Sequence, residues 1–141
     1  MEINSALYDE MIAHAVQSQP NECCGMVATK DGVAMRVYRV SNEYRHPSTG
    51  YVMNPQEVIR LLTEIEDQGW EFGATYHSHP RTAPEPSQTD INLALVPETK
   101  APLWPGTLYI IIGFPTRTQT AEVRAFQIDA DGVEEVALSV Q

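Results

Sequence analysis

Apolar positions along this chain switch between two periods, and the switches mark out its elements. Leu7, Tyr8, Met11, Ile12 and Ala15 recur at helical spacing. They predict a first helix from an N-cap at Ser5 to about Gln17, broken by Pro20-Asn21. From Cys24 the pattern turns to strand: a run to Lys30, the dipeptide Asp31-Gly32, and a second run from Val33 to Val40. Asp-Gly between two apolar runs signals a hairpin. A polar stretch, Ser41 to Gly50, leads into the short segment Tyr51-Val52-Met53. The second helix carries its own punctuation. Asn54 caps it, Pro55 takes the first helical position, Glu57 stands where a capping-box acid belongs, and Gly69 ends it. Its buried stripe is Val58, Leu61, Leu62 and Ile65. A strand from Glu71 to about His77 follows, then a third, shorter helix starting near Ser87 with Ile91, Leu93, Ala94 and Leu95. Leu108 to Phe114 reads as a fully buried strand, and Ala121 to Ile128 with Val133 to Val140 as a closing hairpin turned at Asp131-Gly132.

This order predicts an α/β (α+β) domain: a mixed β-sheet flanked by about three helices, occupying residues 1–141 without repeats or linkers. At 141 residues, such a domain buries roughly two thirds of its unfolded surface and needs no disulfide to stand. Charge narrows the partners. Nineteen acidic side chains against nine basic ones give a net charge of −10, which argues against nucleic acid or an anionic membrane. Cys23 and Cys24 are adjacent, so strand geometry sends their side chains to opposite faces and they are expected as free, buried thiols. With no other cysteine, no apolar run near the roughly 20 residues of a membrane span and no basic leader at Met1 to Ser5, the expectation is a soluble, cytoplasmic protein.

One segment carries chemistry: His77-Ser78-His79-Pro80, followed by Ser87-Gln88-Thr89-Asp90. Residues i and i+2 of a strand share a face, so both imidazoles can reach one point. Asp90 can return to that point from the first turn of the next helix. Two imidazoles and a carboxylate suit Zn²⁺ with a fourth position left for water. The pattern has bland readings too. A histidine pair is at home on a polar sheet edge, and Ser-x-x-Asp is a capping box in its own right; capping and a metal-side role are compatible.

His-Ser-His-Pro and Ser-x-x-Asp, with seven residues between the second His and the Ser, resemble the JAMM (MPN+) metalloprotease signature. The upstream Glu22-Cys23-Cys24-Gly25 resembles that family's remaining Glu-bearing element. The resemblance runs along nearly the whole chain and is to the compact prokaryotic members. It implies the JAMM/MPN-domain (cytidine-deaminase-like) fold and a Zn²⁺ ion held by His77, His79 and Asp90. It also implies Glu22 as general base and Ser87 as hydrogen-bond donor to the oxyanion. The implied substrate is the C-terminal tail of a ubiquitin-like or sulfur-carrier protein, joined by a peptide, isopeptide or cysteine-adduct bond. Family members bind such tails as an added strand, for which Tyr51-Val52-Met53 is the candidate edge.

Two other classes stand beside this reading: a non-catalytic MPN scaffold that binds protein partners, and a zinc hydrolase of a small molecule. A zinc deaminase would need His-x-Glu and Pro-Cys-x-x-Cys, and neither is present. A monomer or homodimer is expected. Among the remaining residues, His14 and His46 read as surface histidines, Arg81 as a loop charge able to meet an acidic leaving group, and Trp104 as a loop anchor.

Overall fold

In the computed structural model, which describes residues 1–116 and 120–141, the chain forms eight strands and three helices. These are β1 (Glu2–Ile3), α1 (Ser5–Ser18), β2 (Cys24–Lys30), β3 (Val33–Val40), α2 (Pro55–Asp67), β4 (Glu71–His79), α3 (Gln88–Ala94), β5 (Leu108–Gly113), β6 (Glu122–Asp129), β7 (Gly132–Val136) and β8 (Ser139–Val140). The strands join one mixed sheet in the order β7-β6-β5-β4-β2-β3-β1-β8. β7 and β8 lie at opposite edges of the sheet, yet only Ala137 and Leu138 separate them in sequence. Two linking residues span only about 10 Å even when extended, so the sheet has to curl until its edges approach. The termini are stitched into this closure, with β1 running parallel to both β3 and β8.

Alternation along the central strands divides the core. Val27, Ala74, Tyr76, Ile110 and Ile112 face α1, packing with Met11 and Ala15. Cys24, Met26, Ala28 and Val40 face α2 through Leu61 and Ile65. Tyr109, Ile111, Phe126 and Ile128 meet α3 at Ala94. α2 and α3 therefore share one face of the sheet and α1 covers the other. Cys23 and Cys24 are free and buried, one on each face. Among the described residues no helix is long and apolar enough to cross a membrane.

Several local expectations shift. Asn4, not Ser5, caps α1, its Oδ1 accepting the Leu7 N–H at 2.9 Å. Glu57 does not close a capping box on Asn54: the Asn54 N–H donates to the Ser41 carbonyl, and Glu57 Oε1 accepts from the Ser41 N–H instead. Tyr51 to Met53 forms no strand, only a bridge from Met53 to Asn42. The final run splits, because β8 leaves β6–β7 to pair with β1. Trp104 packs edge-on against Phe72 at 5.4 Å while 37% exposed, an anchor with one side in water.

His14 is not a surface residue. Its Nδ1 lies 2.7 Å from the hydroxyl of fully buried Tyr76, which shares the sheet face with α1. Burial, aided by the nearby Arg39 charge, depresses the His14 pKa to about 4. Between about pH 6.5 and pH 4 the unfolded chain therefore takes up a proton that native His14 refuses, and stability falls as pH falls. His14→Gln is expected to flatten this slope in denaturant titrations across that window.

Tyr76 fits because Gly25 lies opposite it in the β2–β4 ladder. A Cβ on Gly25 would stand 2.1 Å from the Tyr76 ring and 2.5 Å from the Tyr38 carbonyl oxygen. The backbone contact has no rotamer to relieve it, so Gly25→Ala is expected to cost about 1–3 kcal/mol in urea unfolding.

Candidate active site

The β2–β4 pairing builds the site. Cys24 is opposite His77 in an antiparallel register, and the ladder continues one step further as the Ser78 N–H donates to the Cys23 carbonyl at 3.1 Å. Two residues back along one strand and two forward along the other, Glu22 comes to stand across from His79. Alternation keeps all three side chains on the α2–α3 face. β4 is longer than its sequence pattern indicates and contains both histidines. The chain then turns through Pro80 to Pro86 and enters α3, whose first turn brings Asp90 back to the strand end. Ser87 caps α3 through a reciprocal box: Ser87 Oγ accepts the Asp90 N–H at 3.0 Å, and Asp90 Oδ2 accepts the Ser87 N–H at 2.9 Å. The turn is seated on β5 at Gly113, where a Cβ would lie 2.4 Å from Pro84 N. Beside it, the Phe114 N–H donates to the His79 and Thr82 carbonyls.

Three polar atoms converge at the end of β4. His77 Nε2 and His79 Nε2 are 3.1 Å apart, and each is 3.2 Å from Asp90 Oδ2. Such a triangle matches one face of a tetrahedral site: ligand atoms about 2.0 Å from a shared ion are about 3.3 Å from one another. Burial would lower the His79 pKa, but hydrogen bonding to Asp90 and to the Ala83 carbonyl outweighs it and raises it, so a cation entering the triangle would take the place of a shared proton. His79 Nδ1 faces the Ala83 carbonyl at 3.0 Å and so carries the proton, leaving an Nε2 lone pair turned to the centre. Burial lowers the His77 pKa, with Asp90 opposing, which keeps that ring neutral. Burial would raise the Asp90 pKa, but hydrogen bonding with His77 and His79 outweighs it and holds the carboxyl well below its ordinary range. Two lone pairs and a carboxylate oxygen directed at one point fit a small divalent cation.

Glu22 stands beside the triangle. One ligand atom from each of Glu22, His77 and His79 lies within 4.8 Å of the others. The residue is only 8% exposed, and burial raises its pKa to about 7 against the pull of His79, with Asp90 adding to the rise. Such a carboxylate is poised to exchange a proton near neutral pH.

Tyr51, expected in a substrate-binding edge, and Asn42 and Tyr44, which pattern reading left unassigned, complete the surroundings. Tyr51 stacks on His77 at 4.5 Å between ring centroids, and the His77 Nδ1 is buried without a hydrogen-bond partner, so stacking adds to the Nε2 contacts in holding that ring. Asn42 spends its whole side-chain amide on one junction. Its Nδ2 donates to the Glu22 and Gly50 carbonyls, and its Oδ1 accepts from the Tyr44 and Val52 N–H groups, all at 3.0–3.1 Å. Tyr44 covers Gly50, where a Cβ would lie 2.8 Å from its ring. An Asn between a strand and a polar loop was the available signal, but its four partners are spread over thirty residues. The loop so fixed lines a cavity of about 690 Å³ together with Glu22, His79, Arg81, Ser87, Asp90 and Leu93.

The chain matches the family described as prokaryotic homologs of the JAB domain over residues 4–129. It is 34% identical over 110 residues to a desampylase of Haloferax volcanii, covering 73% of each chain. It is also 34% identical over 98 residues to the CysO-cysteine peptidase of Mycobacterium tuberculosis, covering 68% of this chain and 66% of that one. A probable TtuB-protein conjugate cleaving protease of Thermus thermophilus is 33% identical over 134 residues, 95% of this chain and 78% of the relative. Among solved structures, a Desulfitobacterium hafniense protein superposes with a TM-score of 0.83 at 31% identity, covering 100% of this chain and 93% of the other. A JAB1/MPN domain protein from Archaeoglobus fulgidus shares the fold, with a TM-score of 0.62 at 20% identity over 100% of this chain and 96% of the other.

Proposed function

The chain belongs to the prokaryotic JAB family of JAMM/MPN proteins, and from that premise we propose that it is a zinc-dependent peptidase. Its substrates are conjugates of a ubiquitin-like or sulfur-carrier protein, cleaved at the C-terminal tail. The observation that carries this reading is the triangle of His77 Nε2, His79 Nε2 and Asp90 Oδ2 with buried Glu22 beside it. The relatives named for desampylation, CysO-cysteine cleavage and TtuB-conjugate cleavage supply the substrate class. The two buried free thiols suit a reducing, cytoplasmic setting, and residues 1–141 act as one catalytic domain.

His77, His79 and Asp90 would hold the zinc ion, which when bound supplies Lewis acidity to a water molecule and to the scissile carbonyl. Glu22 accepts the proton of the attacking water and passes it to the departing amine, a cycle matched to a carboxyl with a pKa near 7. Ser87 Oγ uses a lone pair to accept the Asp90 N–H, so its own proton is free to point into the cavity and meet the developing oxyanion. The tail lies along the wall at Ser48 to Val52. Gly-Gly at its end suits this groove, since glycine allows close backbone approach.

The test is incubation of the metal-loaded protein with a ubiquitin-like conjugate. Cleavage directly after the terminal glycine, stopped by a chelator and restored by zinc, is expected. An intact conjugate under those conditions removes the assignment. Asn42 offers a second check, because it fixes the Glu22 backbone and touches none of the three ligand atoms. Asn42→Asp keeps both acceptors and loses both donors. A fall of about tenfold or more in kcat, with metal content unchanged, is expected from steady-state kinetics.

A further inference from the structure

Cys23 and Ser78 stand opposite each other one step beyond the last β2–β4 pair, Cys24 with His77. In a regular antiparallel ladder, a pair that bonds at all exchanges two backbone hydrogen bonds. Here only one runs from backbone to backbone, from the Ser78 N–H to the Cys23 carbonyl at 3.1 Å. The other runs from the Cys23 N–H to the Ser78 hydroxyl oxygen at 2.8 Å. The side chain therefore supplies an acceptor where the ladder would present a carbonyl. Both residues are buried, so a lost hydroxyl leaves the Cys23 N–H without a partner.

That N–H belongs to the peptide joining Glu22 to Cys23. The other polar atom of the same peptide, the Glu22 carbonyl oxygen, accepts from Asn42 Nδ2 at 3.0 Å. A trans peptide is planar and points its C=O and N–H in opposite directions, so Ser78 and Asn42 grip one plane from two sides. Fixing that plane fixes the direction in which the Glu22 side chain leaves the backbone. Glu22 needs such a grip because β2 begins only at Cys24, which leaves the base outside the regular ladder. His77 and His79 do not need it, since both lie within β4, held between β2 and β5. Alternation sends the Ser78 side chain to the face opposite theirs, towards α1 and away from the ligand triangle.

We infer that Ser78 is a positioning residue for Glu22: its buried hydroxyl sets the aim of the carboxylate, acting through the peptide it shares with Asn42. The metal ligands owe their placement to strand pairing and to α3 instead. This inference rests on Glu22 serving as the base in the reading above and adds a group that holds it in place.

Ser78→Thr and Ser78→Val test it as a pair, because the two replacements have nearly the same shape and differ in the hydroxyl. The probe is a ubiquitin-like protein joined through its terminal glycine to a lysine side chain, cleaved by zinc-loaded protein. Relative to Ser78→Thr, Ser78→Val is expected to lose about tenfold or more in kcat, the cost of a small misplacement of a reacting group. KM is expected to differ by less than about twofold, since the contact acts on the base and not on substrate binding. Ser78→Ala removes the hydroxyl without adding bulk and is expected to lose kcat as Ser78→Val does. Zinc affinity, measured by competition with a chelator, is expected to be equal in all three variants, which a general loss of fold would not leave intact. Hydrogen exchange gives a readout apart from turnover: the Cys23 amide is expected to exchange about tenfold or more faster in Ser78→Val than in Ser78→Thr, with the Ile111 amide unchanged. Equal kcat in the Thr and Val variants, or a loss of kcat matched by an equal loss of zinc affinity, overturns the positioning role and leaves the hydrolase reading in place. Failure of the unaltered, zinc-loaded chain to cleave the conjugate overturns both.

Discussion

Replacing Glu22 with glutamine is expected to lower kcat by about 10²–10⁴-fold while the metal stays bound. Glutamine keeps the shape of the side chain and removes its only proton-accepting form. The backbone contacts that hold residue 22 are unaffected, since its N–H donates to the Pro47 carbonyl and its carbonyl accepts from Asn42. A positioned base acts on the transition state more than on ground-state binding, so KM should change little. Metal analysis beside the kinetics separates two roles. Loss of turnover with full metal content marks a base, whereas loss of metal with turnover would make Glu22 a ligand, as its approach to both histidines permits. Full activity in the variant would sink the mechanism.

Asp90→Asn is expected to weaken zinc binding by more than about a hundredfold, beyond the loss common for residues that only hydrogen-bond to a ligand. Asparagine preserves volume and can still accept the Ser87 N–H, so the start of α3 stays capped. What goes is the negative charge between two neutral imidazoles. The expected pattern is a metal-free protein with nearly unchanged unfolding temperature, and a much smaller rise in that temperature on adding zinc. Asp90→Ala gives up the cap as well and should cost a further ~1 kcal/mol. An Asn variant that binds zinc as tightly as the parent would remove Asp90 from the ligand set.

Much of this site was readable in one dimension because its parts are local. His77 and His79 share a face by strand alternation alone, and Ser87 and Asp90 announce a helix start by their spacing. The ordinary helix-capping box thus also aims the carboxylate at the strand end. Glu22 is different. Fifty-five residues separate it from His77, and only the β2–β4 register brings them together; family resemblance supplied what periodicity does not contain. The same holds for Tyr51 and Asn42, whose partners come from pairing and packing, and for His14, which a helical wheel puts at the margin but Tyr76 draws inward. Strand boundaries held where apolar runs met Asp-Gly turns. They failed at Glu2–Ile3 and Ser139–Val140, two-residue strands too short to show a period.

The charged groups that line the main cavity are placed by the same architecture. Glu22 enters from the segment just before β2, Asp90 from α3, and Arg81 from the turn that follows the histidines. An acidic body outside this zone favours a partner that is neutral or basic where it docks.

The central claim is hydrolysis at the tail of a ubiquitin-like protein by this cluster of side chains. Mass spectrometry of a conjugate incubated with metal-loaded protein in ¹⁸O-labelled water tests it most directly. The account predicts a released tail ending in its terminal glycine carboxylate with one ¹⁸O atom from solvent, and no such product with Glu22→Gln. A conjugate left whole by the loaded protein, or a released tail without solvent oxygen, would contradict it.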